Sequence, residues 1–240
     1  MALQRHYQYL DQSALPKRRL WRRKLDFDLT RIGQAGHSRV QGFIAQKFAD
    51  TYGAQVNQFA PLLLSAWQES AFSSALGLRR ADSGPLFLEQ YLDQPVEQEI
   101  AAFSGSAVRR TEIVEIGNLI STSRGGSQML FLMLFELFAA AGVHWAIYTA
   151  TAEVRGLLQK LVGRQTVLCE ADGRRLGDNL NEWGRYYESA PAVTAIDMVA
   201  EHRALLANPR TRETLLACRA TAQAMSPVLK TSAGGANLCN

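Results

Sequence analysis

Residues 111–151 constrain the fold more than any other stretch of the chain. TEIVEIGNLI (111–120) alternates, with Ile113, Glu115 and Gly117 on one face and Glu112, Val114 and Ile116 on the other, which predicts a strand. A small polar run follows, Ser121-Thr122-Ser123-Arg124-Gly125-Gly126-Ser127, and then an apolar helix to about Ala141, ended by Gly142. VHWAIYTAT (143–151) predicts another strand and AEVRGLLQKLV (152–162) another helix. A strand, a helix and a strand in that order make a parallel crossover, so all-β and all-helical folds are excluded.

The flanking segments add antiparallel pieces. Ser38 to Tyr52 predicts a helix, with Val40, Phe43, Ile44, Lys47 and Phe48 at 3–4 spacing and Gly53 at its end. PLLLSAW (61–67) and SAFSSALGLRRA (70–81) predict a hairpin turning near Gln68 to Ser70. LFLEQYLDQPVEQEIAA (86–102) predicts two short helical pieces parted by Pro95, whose ring fixes φ and removes an N–H. TVLCEAD (166–172) predicts a strand, and WGRYY (183–187) a last strand or its approach. From Thr194 to about Met225 the pattern is helical, with a break near Pro209. The class is therefore α/β (α+β). The expected divisions are an arm at 1–30, a catalytic-sized domain at 31–193, a helical extension at 194–226 and a tail at 227–240.

Charge is unevenly placed. Of 26 basic residues, seven fall within residues 1–24, where Asp11 is the only acid. The cluster KRRLWRRK (17–24) is a solvated arm or an electrostatic contact for an acidic partner, such as a carrier protein or a membrane surface. The rest of the chain is close to neutral, which argues against nucleic acid as the partner. Three widely spaced cysteines, Cys169, Cys218 and Cys239, form no metal-ligand pattern, so no metal is expected, and they suit a reducing compartment. Met129 to Gly142, the longest apolar run, is shorter than the roughly 20 residues a membrane span requires, and the N-terminus lacks the apolar h-region of a signal peptide. A cytoplasmic location is expected.

The run at 121–127 carries the first chemical signal. Glycines let the backbone approach a ligand, and a helix start offers free N–H groups and partial positive charge, an arrangement suited to phosphate. Arg124 adds charge, and Ser127 stands at or near the N-cap. The run lacks the GK[ST] ending of a Walker loop and does not match G-x-G-x-x-G. Ordinary turn chemistry is the plainer alternative.

Strand, R-G-G-S, apolar helix, strand and helix together resemble the core of the GNAT-like N-acyltransferases, with Ser123-Arg124-Gly125-Gly126-Ser127 in the place of their Q/R-x-x-G-x-G/A loop. LFLEQYLDQPVE (86–97), EIGNLISTSRGG (115–126) and LGDNLNEWGRYYESAPAV (176–193) resemble blocks of one bacterial family, the thermostable hemolysins, over about residues 30–195. Similarity extends to acyl-homoserine-lactone synthases and N-acyl amino acid synthases. The resemblance implies a mixed, mostly antiparallel twisted sheet flanked by helices, with a C-terminal helical extension. It also implies an acyl thioester donor, acyl-CoA or a phosphopantetheine-linked carrier protein, and a small amine acceptor such as an amino acid. Leu119, Ile120, Ser123, Arg124, Gly125, Gly126 and Ser127 would then hold the donor.

Such a transfer needs a base for the amine, a donor for the oxyanion and an acid for the leaving thiolate. Glu112 and Glu115 lie on opposite faces of their strand, so one of them faces the cleft; Glu115, on the face of Gly117 and Leu119, is favoured. A glutamate balanced by an arginine on a neighbouring strand is the alternative. A backbone N–H near Asn118 or Leu119 would serve the oxyanion, and Tyr148 the thiolate. Trp183, Tyr186 and Tyr187 would wall an acyl pocket or simply pack the core, and His144 reads as a core or edge histidine. Two rival readings remain at this point: a membrane-active hemolysin, as the family name describes, and a non-catalytic binding module of the same fold.

Overall fold

The computed structural model describes residues 25–122 and 124–231; Arg124 is described by its backbone alone. Seven strands form one sheet: β1 (Asp26–Arg31), β2 (Leu62–Gln68), β3 (Ala71–Arg80), β4 (Ile113–Ser121), β5 (Trp145–Ala150), β6 (Thr166–Glu170) and β7 (Ala192–Asp197). Their spatial order is β1-β2-β3-β4-β5-β7-β6. All neighbours are antiparallel except β4 and β5, which run parallel. The helices are α1 (Ala35–Tyr52), α2 (Val96–Ser104), α3 (Arg124–Ala141), α4 (Ala152–Gln159), α5 (Met198–Ala207) and α6 (Pro209–Lys230).

Side-chain alternation sorts the two faces. Leu62, Leu64, Leu76, Leu78, Val114, Ile116, Ala146 and Tyr148 pack with the apolar side of α3, Leu158 of α4, and α5 and α6. On the other face Leu63 and Ala75 meet α1, while Ile113, Ile147 and Val193 meet α2 and the turns around it. The helix α3 is apolar nearly all round because it is the crossover between β4 and β5, with the sheet on one side and α6 on the other. Its one charged residue among the described side chains, Glu136, is buried, and it is neutralised from the C-terminal helices. His202 Nε2 lies 2.8 Å from Glu136 Oε1, and Arg219 Nε 2.9 Å from Oε2.

The hairpin, the strand at 113–121, the crossover and the two helical pieces on either side of Pro95 stand as expected. Four boundaries are corrected. Asp26–Arg31, placed in the arm, is the edge strand β1, paired with Leu62–Trp67. Its DFDLTR pattern puts Leu29 inside and leaves both aspartates outward. Thr194–Asp197, placed in the C-terminal helix, belongs to β7, which lies between β5 and β6 and so takes a strand conformation from both neighbours. Residues 227–230, placed in the tail, complete α6 through Lys230. WGRYY (183–187), expected as a strand, lies in 3-10 turns, because Gly184 (φ +52) comes so close to α1 that a Cβ there would lie 2.3 Å from the Tyr52 carbonyl oxygen. Residues 1–24 and 232–240, the basic cluster and the tail's end, lie outside the described residues. Among the described residues no helix is long and apolar enough to cross a membrane.

Candidate active site

β4 and β5 pair over four rungs only, Ile113↔Trp145 to Ile116↔Tyr148, yet β4 continues to Ser121 and β5 to Ala150. The two strands part beyond Ile116. The cause lies on β4, where Asn118 adopts φ +52 and the β3–β4 register slips by one residue between Ala75 and Gly77. A bulge of this kind bends its strand and raises its twist. Asn118 is held in that conformation by its own side chain, whose Oδ1 accepts from the Ala60 N–H at 3.3 Å. Gly77 leaves it room, since a Cβ there would meet Asn118 Oδ1 at 2.9 Å.

The gap opens into a narrow cleft, lined mostly by apolar and aromatic side chains with a few polar groups among them. Glu115, Leu119 and Tyr148 line it, as do Trp183, Tyr186 and Tyr187. Of the expected catalytic residues, then, Glu115 and Tyr148 both line this cleft. Glu112 does not: it sits at the far end of β4, in a 3-10 turn, bonded to Arg109 at 2.6 Å and near His144 at 3.5 Å. Glu112 is therefore removed from the catalytic candidates.

Glu115 is buried. Its Oε2 accepts the Phe87 N–H and its Oε1 the Leu88 N–H, both at 2.9 Å. Arg79, opposite it on β3, approaches to 3.8 Å without a hydrogen bond. Burial pushes its pKa above the ordinary carboxylate range, against the two amides and the Arg79 charge. Each oxygen keeps a further lone pair for a ligand proton. The neighbouring-strand arginine thus exists, at ion-pair distance from the carboxylate. Phe87 and Leu88 belong to the LFLEQY turn, fixed because Glu89 caps it at Leu86 N (2.8 Å) and is gripped by Arg110 at 2.6 Å.

Tyr148 is also buried, and its hydroxyl donates to Gln165 Oε1. Burial pushes its pKa well up, with the charge of Arg155 pulling the other way, so the phenol keeps its proton. Arg155 itself, on α4, has a buried Nε with no partner among the described residues. Burial also raises Tyr187, to about 12, and the Tyr187 hydroxyl is bonded to that of Tyr91. The rings of Phe48, Tyr52, Trp183, Tyr186 and Tyr187 pack on one another along one wall of the cleft.

The proposed donor loop differs from its sequence reading. Arg124 begins α3, so R-G-G-S is the first turn of the helix rather than a loop before it. Ser127 is therefore inside the helix and is not the N-cap; Ser123 lies outside the described residues. Gly126 is explained by packing: a Cβ would stand 2.5 Å from Ser73 Oγ and 3.2 Å from the Ser73 carbonyl oxygen. Ser74 Oγ donates to the Gly126 carbonyl oxygen at 3.2 Å, which seats the helix start on β3. Gly125 is buried beside it. Ile120 points toward the α1 side and packs there, whereas Leu119 reaches the cleft. Sequence reasoning missed Thr149, Arg155, Tyr91 and the Phe87–Leu88 amides. The amides had a signal in the Leu86–Glu89 capping spacing; the other three had none.

Comparison with solved structures gives the same fold three times. TofI, in a ternary complex with an inhibitor and MTA, superposes with a TM-score of 0.53 at 11% identity, covering 78% of this chain and 99% of TofI. The AHL synthase LasI gives 0.53 at 9% identity over 81% and 95% of the two chains. FeeM, an N-acyl amino acid synthase from uncultured soil microbes, gives 0.50 at 12% over 75% and 95%. No curated protein matches the chain in sequence. The family profile named Thermostable hemolysin matches residues 30–202, from within β1 into α5 and across the whole cleft, so this chain belongs to the thermostable hemolysin family.

Proposed function

We propose that the chain is an N-acyltransferase that moves an acyl group from a thioester donor, acyl-CoA or acyl carrier protein, to a small amine. The observation that carries this reading is that buried Glu115 and buried Tyr148, on opposite faces of the sheet, both line the cleft where β4 and β5 part. The shared fold of LasI and FeeM, named as acyl-transferring synthases, supports it.

The chemistry divides across the sheet. Glu115 takes a proton from the nitrogen of the neutral amine as it attacks. The nitrogen forms a C–N bond at the thioester carbonyl, and the carbonyl oxygen becomes an oxyanion beside the bulged backbone of β4. The oxyanion collapses, the C–S bond breaks, and the thiolate takes its proton from Tyr148. Glu115 ends protonated and Tyr148 ionised, and both exchange with solvent. Burial holds the phenol pKa above that of a thiol, so Tyr148 lends its proton only to the developing thiolate and regains it at once.

The donor's phosphate-bearing arm would lie toward α3 and α4. The start of α3 at Arg124–Gly126 offers helix N–H groups, and Arg155 on α4 offers an unpaired guanidinium nitrogen. The basic cluster at 16–24 would dock a carrier protein, with Arg18, Arg19, Arg22 and Arg23 as the charges concerned. Neutralising these four should raise KM for a carrier-protein donor at low salt and leave KM for acyl-CoA alone. A cytoplasmic place of action goes with both donors.

The test is incubation with octanoyl-CoA and a panel of primary amines, with mass spectrometry for the amide and a thiol assay for released CoA. Amide formation that Glu115→Gln abolishes supports the reading. Lysis of erythrocytes by the purified chain without any amide formed would favour the membrane-active alternative instead.

A further inference from the structure

Thr149 carries a hydroxyl that the protein itself does not use. It stands on β5 two residues beyond Ile147, which lies opposite Glu115 in the ladder, so Thr149 and Glu115 share a face. Both line the cleft. The Thr149 Oγ1 atom is buried and has no hydrogen-bond partner among the described residues. The backbone around it is tied down: its carbonyl oxygen accepts from the Tyr186 hydroxyl at 3.3 Å. Other buried strand threonines differ, since Thr30 donates to the Leu63 carbonyl and Thr194 to that of Ala192, both at 3.4 Å. A buried hydroxyl without a partner is rare in folded proteins, and valine would fill the same space without that cost. Its partner is therefore sought in the ligand.

We propose that Thr149 is a positioning residue for the acceptor, which deepens the N-acyltransferase reading and rests on it. Glu115 on β4 and Thr149 on β5 flank the gap on the same face, one oxygen from each strand. Together they accept the two N–H groups of the attacking amine and leave its lone pair aimed at the thioester carbon. Two other ligand groups compete for this hydroxyl, the thioester carbonyl oxygen and a polar substituent on the acyl chain. The face favours the amine: Glu115 attracts an ammonium group, whereas Tyr148, which would serve the sulfur, is on the opposite face. The rings of Phe48, Tyr52, Trp183 and Tyr186 line the cleft on the Thr149 side. Aromatic faces also favour a cation. The acceptor class assigned is thus a primary amine with an aromatic or otherwise apolar body.

Octanoyl-CoA as donor removes the third possibility, because its chain carries no polar substituent. The amines are phenethylamine, putrescine, ethanolamine and L-phenylalanine, read by CoA release above the amine-free background. Phenethylamine should give the highest kcat/KM. With it, Thr149→Val should raise the amine KM roughly three- to tenfold, the size of one lost neutral hydrogen bond, with kcat and the octanoyl-CoA KM held within twofold. Thr149→Ser should restore the amine KM. The Tm of Thr149→Val should equal or exceed that of the parent, since no internal hydrogen bond is lost. A fall in kcat at unchanged amine KM would assign the hydroxyl to the carbonyl oxygen and overturn the proposal. So would parent-like kinetics in Thr149→Val, a lowered Tm that explains the loss, or a preference for putrescine or ethanolamine over phenethylamine. Failure of all four amines with the parent chain counts against the transferase reading and takes this inference with it. Turnover that Thr149→Val leaves untouched retires Thr149 alone.

Discussion

Glu115 and Tyr148 occupy neighbouring rungs of the parallel ladder, Glu115↔Ile147 and Ile116↔Tyr148, and so face opposite sides of the sheet. Glu115 accepts amide protons from the turn at Phe87–Leu88, while Tyr148 packs with α3 and bonds to Gln165. Acid and base can act on one bond only where the strands have parted. The ladder ends at their rungs, so in the proposed transfer a substrate threaded through the gap would meet Glu115 on one face and Tyr148 on the other.

Glu115→Gln should lower kcat by about 10²- to 10⁴-fold, the usual weight of a positioned general base, with donor affinity within twofold. In the parent, kcat/KM for the amine should fall as pH falls through a raised carboxylate pKa. The acid limb should therefore sit above the ordinary Glu value of about 4.3 and be absent from Glu115→Gln. Steady-state rates from pH 4 to 9 check both points. An acid limb at the ordinary value would mean that the carboxylate is more hydrated than its burial indicates.

Tyr148→Phe should cost about 10- to 10²-fold in kcat with an alkyl thioester, and much less with a thiophenyl ester, whose thiolate leaves without a proton. Because burial holds the phenol protonated, no basic limb from Tyr148 is expected below about pH 10. Rates for the two ester types, in parent and variant, decide this.

Arg155→Ala should weaken CoA binding by about 1–3 kcal/mol, the range for a lost charge-assisted hydrogen bond, while the Tm holds, because the guanidinium Nε has no partner to lose among the described residues. Calorimetric titration with CoA tests it. An unchanged Kd would move the donor's phosphates away from α4.

Gly126→Ala should destabilise by about 1–3 kcal/mol, as overpacking does, because the added Cβ would stand 2.5 Å from Ser73 Oγ. Ser73→Ala in the same chain should recover part of the loss, the Ser73 carbonyl oxygen and Ser121 Oγ remaining close. Denaturant unfolding of the single and double variants measures the coupling.

Glu136 gives a pH-dependent stability. Burial pushes its pKa up, but the hydrogen bonds and charges of Arg219 and His202 outweigh this and hold it below the ordinary value. A depressed carboxylate stabilises the fold above the unfolded pKa, about 4.3, and this is lost as pH falls through the folded value. Glu136→Gln should cost about 1–3 kcal/mol at pH 7, the half-exposed Arg219 limiting the loss, and the gap to the parent should close below about pH 4. Urea unfolding at both pH values checks it.

Much of this architecture was legible in the chain. The alternation at 113–121 is strong, and Pro95 and Gly53 punctuate clearly. What stayed hidden was decided by partners far away in sequence. AVTAID (192–197) is rich in alanine and joins a helical run, and only its place between β5 and β6 makes it a strand. The aromatic WGRYY suggests a strand, but the close approach of Gly184 to α1 folds it into the cleft wall instead. Glu115 is singled out in the sequence by its strand and the amine chemistry, whereas Thr149 and Arg155 carry no local pattern at all. Their significance is an unsatisfied polar atom, which exists only once the surrounding chain has excluded water.

The strand order β5-β7-β6 has a consequence for how the chain is made. Synthesis delivers β6 before β7, yet among the described residues β6 has no neighbour in the sheet other than β7. Until residue 197 has emerged, β5 keeps an open hydrogen-bonding edge and β6, with half-exposed Val167, waits unpaired. An open edge of that kind invites pairing with another chain. A ribosome that stalls between residues 170 and 197 would therefore release a sticky product, and solubility should recover sharply in chains long enough to include β7.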